Sequence, residues 1–360
     1  MSEAETFGAS KLAHAPIEPT GALAEYLDDL RARFDFDDVA RYLDAARSLR
    51  VLAVGEAIVD EYQYVETIGK SGKEPILAAR YVSEERFAGG VLAVANQLAA
   101  AVDDVVALTC LGTRDSHEEF IRRSLRSNVR LVPIQLLGAP TIVKRRFVET
   151  YPLQKLFEVY VMDGHDTAQR ELCARLDDLL AAVEVAVVAD YGHGMLREEA
   201  VELLCAKAPY LAVNTQVNAD NRGFNTVSKY RRADFVTASE QELRMEARSR
   251  HRDLREIVLG VADRLGCRRL IVTRGRTGCV VFGAEDGYFE LPGFVTPVVD
   301  RVGAGDAVLA VSSLLAAQDA PSELIGLVGN VVGATAVGIV GNSASVALQA
   351  VTDSLRELLA

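Results

Sequence analysis

Tryptophan is absent from this 360-residue chain, and cysteine occurs five times, at Cys110, Cys173, Cys205, Cys267 and Cys279, never as a C-x-x-C pair. An odd, scattered set of thiols excludes a disulfide framework and a four-cysteine zinc site, and it suits a reducing compartment. The five histidines show no H-x-x-x-H or H-E-x-x-H spacing, so no metal-binding pattern is added. Positive charge is also in short supply: 39 Lys and Arg face 51 Asp and Glu, a net charge of −12. The basic footprint of a nucleic-acid binder is therefore missing, although a local basic site for an anionic substrate is compatible with that balance. No uninterrupted apolar run reaches the roughly 18 residues that a membrane span needs. The longest, LIGLVGNVVGATAVGIVG at 324–341, is broken by glycines and Asn330 and reads as a buried helix. The opening MSEAETFGASKLAHAPIEP lacks a basic segment followed by an apolar core, so no secretory signal is read there. The expectation is a soluble, cytoplasmic protein whose partners are neither nucleic acid nor membrane.

What the chain does contain is a repeated rhythm from residue 49 onward. Short apolar runs recur at 51–60 (VLAVGEAIVD), 105–112, 185–190, 210–214, 234–239 and 270–275. Continuous apolar runs without alternation mark strands buried on both faces. Helical segments at 91–101, 114–127, 168–182, 197–207 and 251–265 connect them as βαβ crossovers. The pattern predicts an α/β fold, a doubly wound and mostly parallel sheet over 49–360. Residues 1–19 read as mobile. Residues 20–48 carry two amphipathic helices, the first capped by Thr20, so 1–48 is an N-terminal helical extension. Segments 61–88 and 139–162 alternate polar with apolar, the mark of strands exposed on one face. They predict a small sheet standing off the main one, as a lid, a dimer surface or both.

Ligands of open parallel sheets sit at the carboxyl ends of the strands. That rule selects 56–60, ADYGHG (189–194), TASEQE (237–242), TRGRTG (273–278) and the stretch PVVDRVGAGDAVLAVSSLLAA at 297–317. In the last, Asp300, Gly303, Gly305 and Asp306 surround one strand-to-helix turn. Glycines let main-chain N–H groups approach an anion, and the helix N-terminus adds partial positive charge. Donors so placed stabilise a phosphoryl group in transfer, and Asp306 can take the proton of an acceptor hydroxyl.

With these motifs in order, the chain resembles the PfkB/ribokinase family of sugar kinases over roughly residues 50–355. The family signature D-T-x-G-A-G-D stands here as DRVGAGD, with Arg301 in place of Thr. The family's glycine pair is Gly89 and Gly90 in FAGGVLAVANQLAA, its strand-end Gly and Asp are Gly55 and Asp60, and its V-T-x-G-x-x-G element is VTRGRTG. Within the family the nearest likeness is to heptose-7-phosphate kinases, the kinase domain of ADP-heptose synthases. It rests on VGEAIVDEYQY, TIVKRRFV, VVADYGHGML and KYRRADFVTASEQE. Departures are Glu56 for Asp, His193 for Lys, Ser239 for the Asn of N-x-x-E, and Ala93 for a sugar-contacting Asn.

The resemblance implies a ribokinase-like fold with a small β lid, ATP and Mg2+ as cofactors, and a homodimer joined through the lids. It implies that Asp306 is the base and that the N–H groups of Gly303, Ala304 and Gly305 neutralise developing charge. Asp60 would hold sugar hydroxyls, Gly89 and Gly90 would admit the sugar, and Asn96 would stand in for the missing Asn. His193 would touch substrate, while Lys144 and Arg146, on one face of a strand, would bind a substrate phosphate. Thr273, Gly275 and Gly278 would shape the nucleotide side, Asn330 would face the adenine, and Glu242 would act on Mg2+ through water. The implied reaction is γ-phosphoryl transfer from ATP to the anomeric hydroxyl of D-glycero-D-manno-heptose 7-phosphate, giving the 1,7-bisphosphate. A kinase of an unphosphorylated sugar or a nucleoside, and a kinase-like binding or regulatory module, remain alternatives. Plainer roles also stand beside each assignment: Asp60 as a turn cap, Gly89 and Gly90 as a tight turn, Lys144 and Arg146 as a solvated face, Glu242 as a helix-start carboxylate. The stretch NTQVNADNRGFN (214–225) reads as a loop held by Asx turns rather than as a site.

Overall fold

A computed structural model describes residues 21–163, 168–294 and 296–360. The expected mobile N-terminus and the Thr20 cap lie outside them. Helices α1 (Ala22–Arg31) and α2 (Phe36–Ala46) precede β1 (Arg50–Gly55), β2 (Ala57–Lys70), β3 (Leu77–Gly90), α3 (Val91–Leu98) and β4 (Asp104–Arg114). There follow α4 (Glu118–Ser124), β5 (Val129–Pro140), β6 (Ile142–Glu149), β7 (Lys155–Val161), α5 (Gln169–Leu180), β8 (Val185–Asp190), α6 (Glu198–Lys207) and β9 (Tyr210–Thr215). The chain continues through β10 (Phe235–Ser239), α7 (Glu240–Glu246), α8 (Leu254–Leu265), β11 (Arg269–Thr273), β12 (Cys279–Gly283) and β13 (Gly287–Leu291). It ends with α9 (Ala304–Ala316), α10 (Ser322–Ala336) and α11 (Leu348–Leu358).

Nine strands form one sheet in the order β13-β12-β11-β10-β9-β8-β1-β4-β5, parallel throughout except for the antiparallel β12 and β13 at one edge. Its central strands are buried on both faces, β8 from end to end, as the unbroken apolar runs require. One face is covered by α1, α2, α3, α9, α10 and α11, the other by α5, α6 and α8. Residues 306–316 of α9 are all buried; its Ala, Val and Ser side chains let α3 and α10 pack closely against it. The first helix begins after Gly21 without a side-chain cap, whereas α2 has a reciprocal capping box between Asp35 and Asp38.

A second, four-stranded sheet, β3-β2-β6-β7, is made by the two alternating segments. The run at 51–60 belongs to both sheets: β1 ends at Gly55, and the chain crosses at Glu56 into the lid, whose first strand begins at Ala57 rather than at 61. The crossing is held by Thr109 of β4, whose Oγ1 accepts from Ala57 N at 2.8 Å and donates to Gly55 O at 2.7 Å. At the second exit into the lid, between β5 and β6, Thr141 Oγ1 accepts from Gly112 N at 3.0 Å and donates to Ser116 O at 2.7 Å, tying the crossing to the end of β4 and the loop that follows it. Replacing Thr109 by Val keeps the shape but leaves a buried N–H and a buried C=O unpaired. We predict a loss of about 1–3 kcal/mol in urea unfolding for Thr109→Val, and near-parental stability for Thr109→Ser.

Candidate active site

The turn 300–303 delivers Asp306 to the first turn of α9, where the carboxylate is buried. Gly303 is in the left-handed region at φ 83°, and a Cβ there would lie 2.1 Å from Asn342 Oδ1. Only glycine lets the 340–342 segment sit against the turn in this way. Tyr191 OH and Gln216 Nε2 both donate to Asp306 Oδ1, at 2.6 and 2.9 Å. One carboxylate oxygen is thereby fixed, leaving Oδ2 for an acceptor hydroxyl. Burial raises the Asp306 pKa to about 6, although the Tyr191 bond pulls the other way.

Asp60, on β2, is also buried. Its Oδ1 accepts from the Arg146 guanidinium, and its Oδ2 accepts from Asn342 Nδ2 at 3.2 Å. A Cβ on Gly89 would lie 2.1 Å from Asp60 Oδ2, so the glycine makes room for this carboxylate. Parallel pairing of β2 with β6 sets Asp60 beside Lys144 and Tyr62 beside Arg146, while Arg145 pairs with Glu61 on the opposite face. Lys144 is buried with its ammonium over the rings of Tyr160 and Tyr191, at 5.0 and 5.5 Å. Burial holds its pKa below the usual lysine value.

Beneath these groups lies Glu56, which accepts from Tyr191 N and His193 N at 3.0 Å each and from Met195 N at 3.4 Å. These bonds shape the 191–195 loop and so aim Tyr191 at Asp306. Burial, with the nearby Asp190 charge, raises the Glu56 pKa to about 7. Asp190 in turn accepts from Lys229 Nζ at 2.6 Å and Tyr230 OH at 2.8 Å.

The profile of the pfkB family carbohydrate kinases matches residues 48–347. The chain belongs to the PfkB family of carbohydrate kinases. The bifunctional protein HldE of Pseudomonas aeruginosa (strain LESB58) is 31% identical over 300 residues, covering 82% of this chain and 61% of that protein. HldE of Actinobacillus pleuropneumoniae is 27% identical over 308 residues, covering 84% and 63%. This kinase thus spans about three fifths of the length of the curated relatives it matches. Among solved structures, phosphofructokinase-2 from Escherichia coli with fructose-6-phosphate superposes at TM-score 0.66 and 16% identity, covering 86% of this chain and 98% of that one. A ribokinase from Thermotoga maritima does so at TM-score 0.65 and 16% identity, covering 86% and 99%. At that identity the likeness is one of fold.

Within this PfkB kinase, Asp306, Asp60, Lys144, Arg146, Gly89 and the 303–305 turn come together, and His193 joins their wall through an edge contact of its ring with Tyr160. One expectation needs correction. Asn96 Nδ2 donates to Ser124 O at 2.9 Å and its Oδ1 accepts from Arg126 N at 3.0 Å, so its amide braces the end of α4. Arg146 is ion-paired with Asp60 and Glu158. Of the residues expected on the nucleotide side, Thr273 ends β11, Gly275 and Gly278 bracket the next turn, and Asn330 on α10 donates to Pro292 O at 3.2 Å; Gly90, expected at the sugar, is the N-cap of α3. Glu242 closes the capping box of α7 and also accepts from Val217 N at 3.1 Å.

Sequence reasoning missed Tyr191, Gln216 and Asn342. The loop 214–225 does contain the expected Asx turn, Asn218 Oδ1 accepting from Asp220 N at 3.0 Å, yet Gln216 within it reaches the base. Asp306→Asn keeps shape and removes basicity, so kcat should fall by about 10²–10⁴-fold with ATP binding little changed. In the parent, kcat/KM should fall as pH drops through about 6, because a protonated Asp306 cannot accept the hydroxyl proton. Tyr191→Phe removes a donor that holds this pKa down, and the acid limb should move to higher pH. A limb that stays in place in steady-state pH profiles would contradict the pairing.

Proposed function

We propose that this kinase transfers the γ-phosphoryl group of ATP to a hydroxyl of a phosphorylated sugar, with the anomeric hydroxyl of D-glycero-D-manno-heptose 7-phosphate as acceptor. One observation carries the reading: the buried Lys144 ammonium has no hydrogen bond or ion pair among the described residues, only the two aromatic faces. The Asp60, Glu158 and Glu56 charges act on this ammonium without bonding to it, so its donors are open to an incoming phosphate, which would make a charge-assisted contact. The motif likeness of VGEAIVDEYQY and VVADYGHGML to heptose-7-phosphate kinases supports the heptose. Arg146 neutralises Asp60, which leaves Asp60 able to accept from sugar hydroxyls without repelling the phosphate.

Asp306 takes the proton as the acceptor oxygen attacks, and the N–H groups of Gly303, Ala304 and Gly305 meet the charge gathering on the phosphoryl oxygens. Among the described residues no group of three or more His, Cys, Asp or Glu is placed to cage a metal ion. An Mg2+ carried by nucleotide phosphates keeps several waters and needs no such cage. Glu242 would reach it through water, and the ion when bound neutralises phosphate charge.

The outer face of the lid, where Phe147 and Phe157 stack at 4.5 Å and Phe157 is 56% exposed, supports a homodimer joined there. Light scattering at micromolar concentration should give a dimer, and Phe157→Asp a monomer. For the acceptor site, Lys144→Met keeps the apolar stem and deletes the charge. KM for the sugar phosphate should rise at least tenfold while KM for ATP stays within about twofold. A variant that handles the phosphorylated sugar as the parent does removes the support for this acceptor, and an unphosphorylated sugar becomes the better reading.

A further inference from the structure

Asp300, at the start of the phosphoryl-binding turn, joins four separate parts of the chain. Its Oδ1 accepts from Val302 N at 3.1 Å and from the Lys155 ammonium, and its Oδ2 accepts from Tyr62 OH at 2.6 Å and Gly341 N at 3.0 Å. A carboxylate offers about four lone-pair sites, and here all are taken, so Asp300 is neither a base nor a ligand. Burial would raise its pKa, but the Lys155 and Tyr62 bonds hold it below the usual carboxylate range. Two of the donors are main-chain groups of the turn and of the neighbouring 341 segment. The other two come from the lid: Tyr62 from β2 and Lys155 from the first position of β7. Lys155 also lies 5.3 Å from the centre of the Tyr62 ring, and the two act as one contact.

We propose that Lys155 and Tyr62 are positioning residues, which set the phosphoryl-binding turn through Asp300 only when the lid is down. With the lid lowered, Lys155 cancels the Asp300 charge, and Oδ1 holds Val302 N–H in the geometry that aims the following N–H groups of 303–305. With the lid raised, Asp300 keeps only its two main-chain donors, and an uncompensated carboxylate stands beside the place where the phosphoryl oxygens gather charge. The turn then repels the group it must stabilise. Transfer to water in an open site is disfavoured by the same element that supports transfer to a sugar under the closed lid. The inference rests on the kinase reading but not on which sugar is the acceptor.

The test uses the full chain and three variants, Lys155→Met, Lys155→Ala and Asp300→Asn, with the combination of Lys155→Met and Asp300→Asn. Lys155 is 37% exposed in its side chain, so the fold tolerates its loss. With whichever acceptor the parent phosphorylates, Lys155→Met should lower kcat by about 10–100-fold, the scale of a misplaced catalytic group, and leave KM for ATP within about twofold. Added methylammonium should restore part of the rate in Lys155→Ala. The double variant should be no slower than Asp300→Asn alone. Hydrogen exchange, which needs no acceptor, should quicken in Lys155→Met both at 155–161 and at 300–305. Parental kcat in Lys155→Met, additive losses in the double variant, or faster exchange confined to 155–161 would each overturn the proposal. Failure to phosphorylate heptose 7-phosphate, by contrast, speaks only to the acceptor.

Discussion

Carboxylates placed in a cleft from which water is largely excluded must each find a partner, and the whole site is arranged around that requirement. Asp60, Asp300, Asp306 and Glu56 are all buried at the carboxyl ends of the strands or at the lid root. Each meets the requirement differently. Asp60 takes a guanidinium, Asp300 an ammonium and a phenol, Asp306 a phenol and an amide, and Glu56 a set of main-chain N–H groups. The difference decides function. Asp300, bonded to an ammonium, is held below the usual carboxylate range, whereas Asp306 and Glu56, given only neutral donors, are pushed up to about 6 and about 7 by burial. Asp306 lies within reach of the charge of Lys144, a buried cation with no direct hydrogen bond or ion pair among the described residues; on the proposed reading they are the base and the contact for a substrate phosphate.

The lid is part of the same arrangement. The chain leaves the main sheet for the lid at Glu56 and again at Thr141; the Thr109 hydroxyl pairs the main-chain groups of the first crossing, and the Thr141 hydroxyl ties the second to β4 and the loop after it. Because the crossing starts at Glu56, the residue that shapes the Tyr191 loop is also the pivot of the lid. The inner face of the lid brings Asp60, Tyr62, Lys144 and Arg146 to the base, and Lys155 to the turn. Sugar and phosphoryl sites are thus assembled from two sheets that meet along one line.

Much of this was legible in the sequence, for physical reasons. Strands buried on both faces leave unbroken apolar runs, so β1, β4, β8, β9, β10 and β11 were visible, and alternation revealed the lid. Strand β5 was not, because Pro133 interrupts it; an edge strand tolerates a proline that a central one does not. The antiparallel β12 and β13 form a hairpin at the sheet edge, and β13, GYFEL, is largely uncovered and carries no unbroken apolar run. At the site, Asp306, Asp60 and the glycines were readable because their local spacing carries the chemistry. Tyr191 and Lys155 were not, since their partners lie 115 and 145 residues away. Alternation placed Lys144 and Arg146 on one face, but only the fold could assign Arg146 to Asp60 and leave Lys144 unpaired. The sign that might have disclosed Tyr191 was its place beside a buried strand-end Asp, inside a motif already singled out.

The acceptor is the central claim of the proposed function, and phosphorus NMR of a reaction holding the protein, ATP, Mg2+ and D-glycero-D-manno-heptose 7-phosphate tests it directly. The account predicts that ADP and a second sugar phosphorus signal, from a phosphate on the anomeric carbon, grow in equal amounts while the 7-phosphate signal persists. Growth of ADP without that signal, or transfer only to unphosphorylated sugars in a parallel panel, would contradict it.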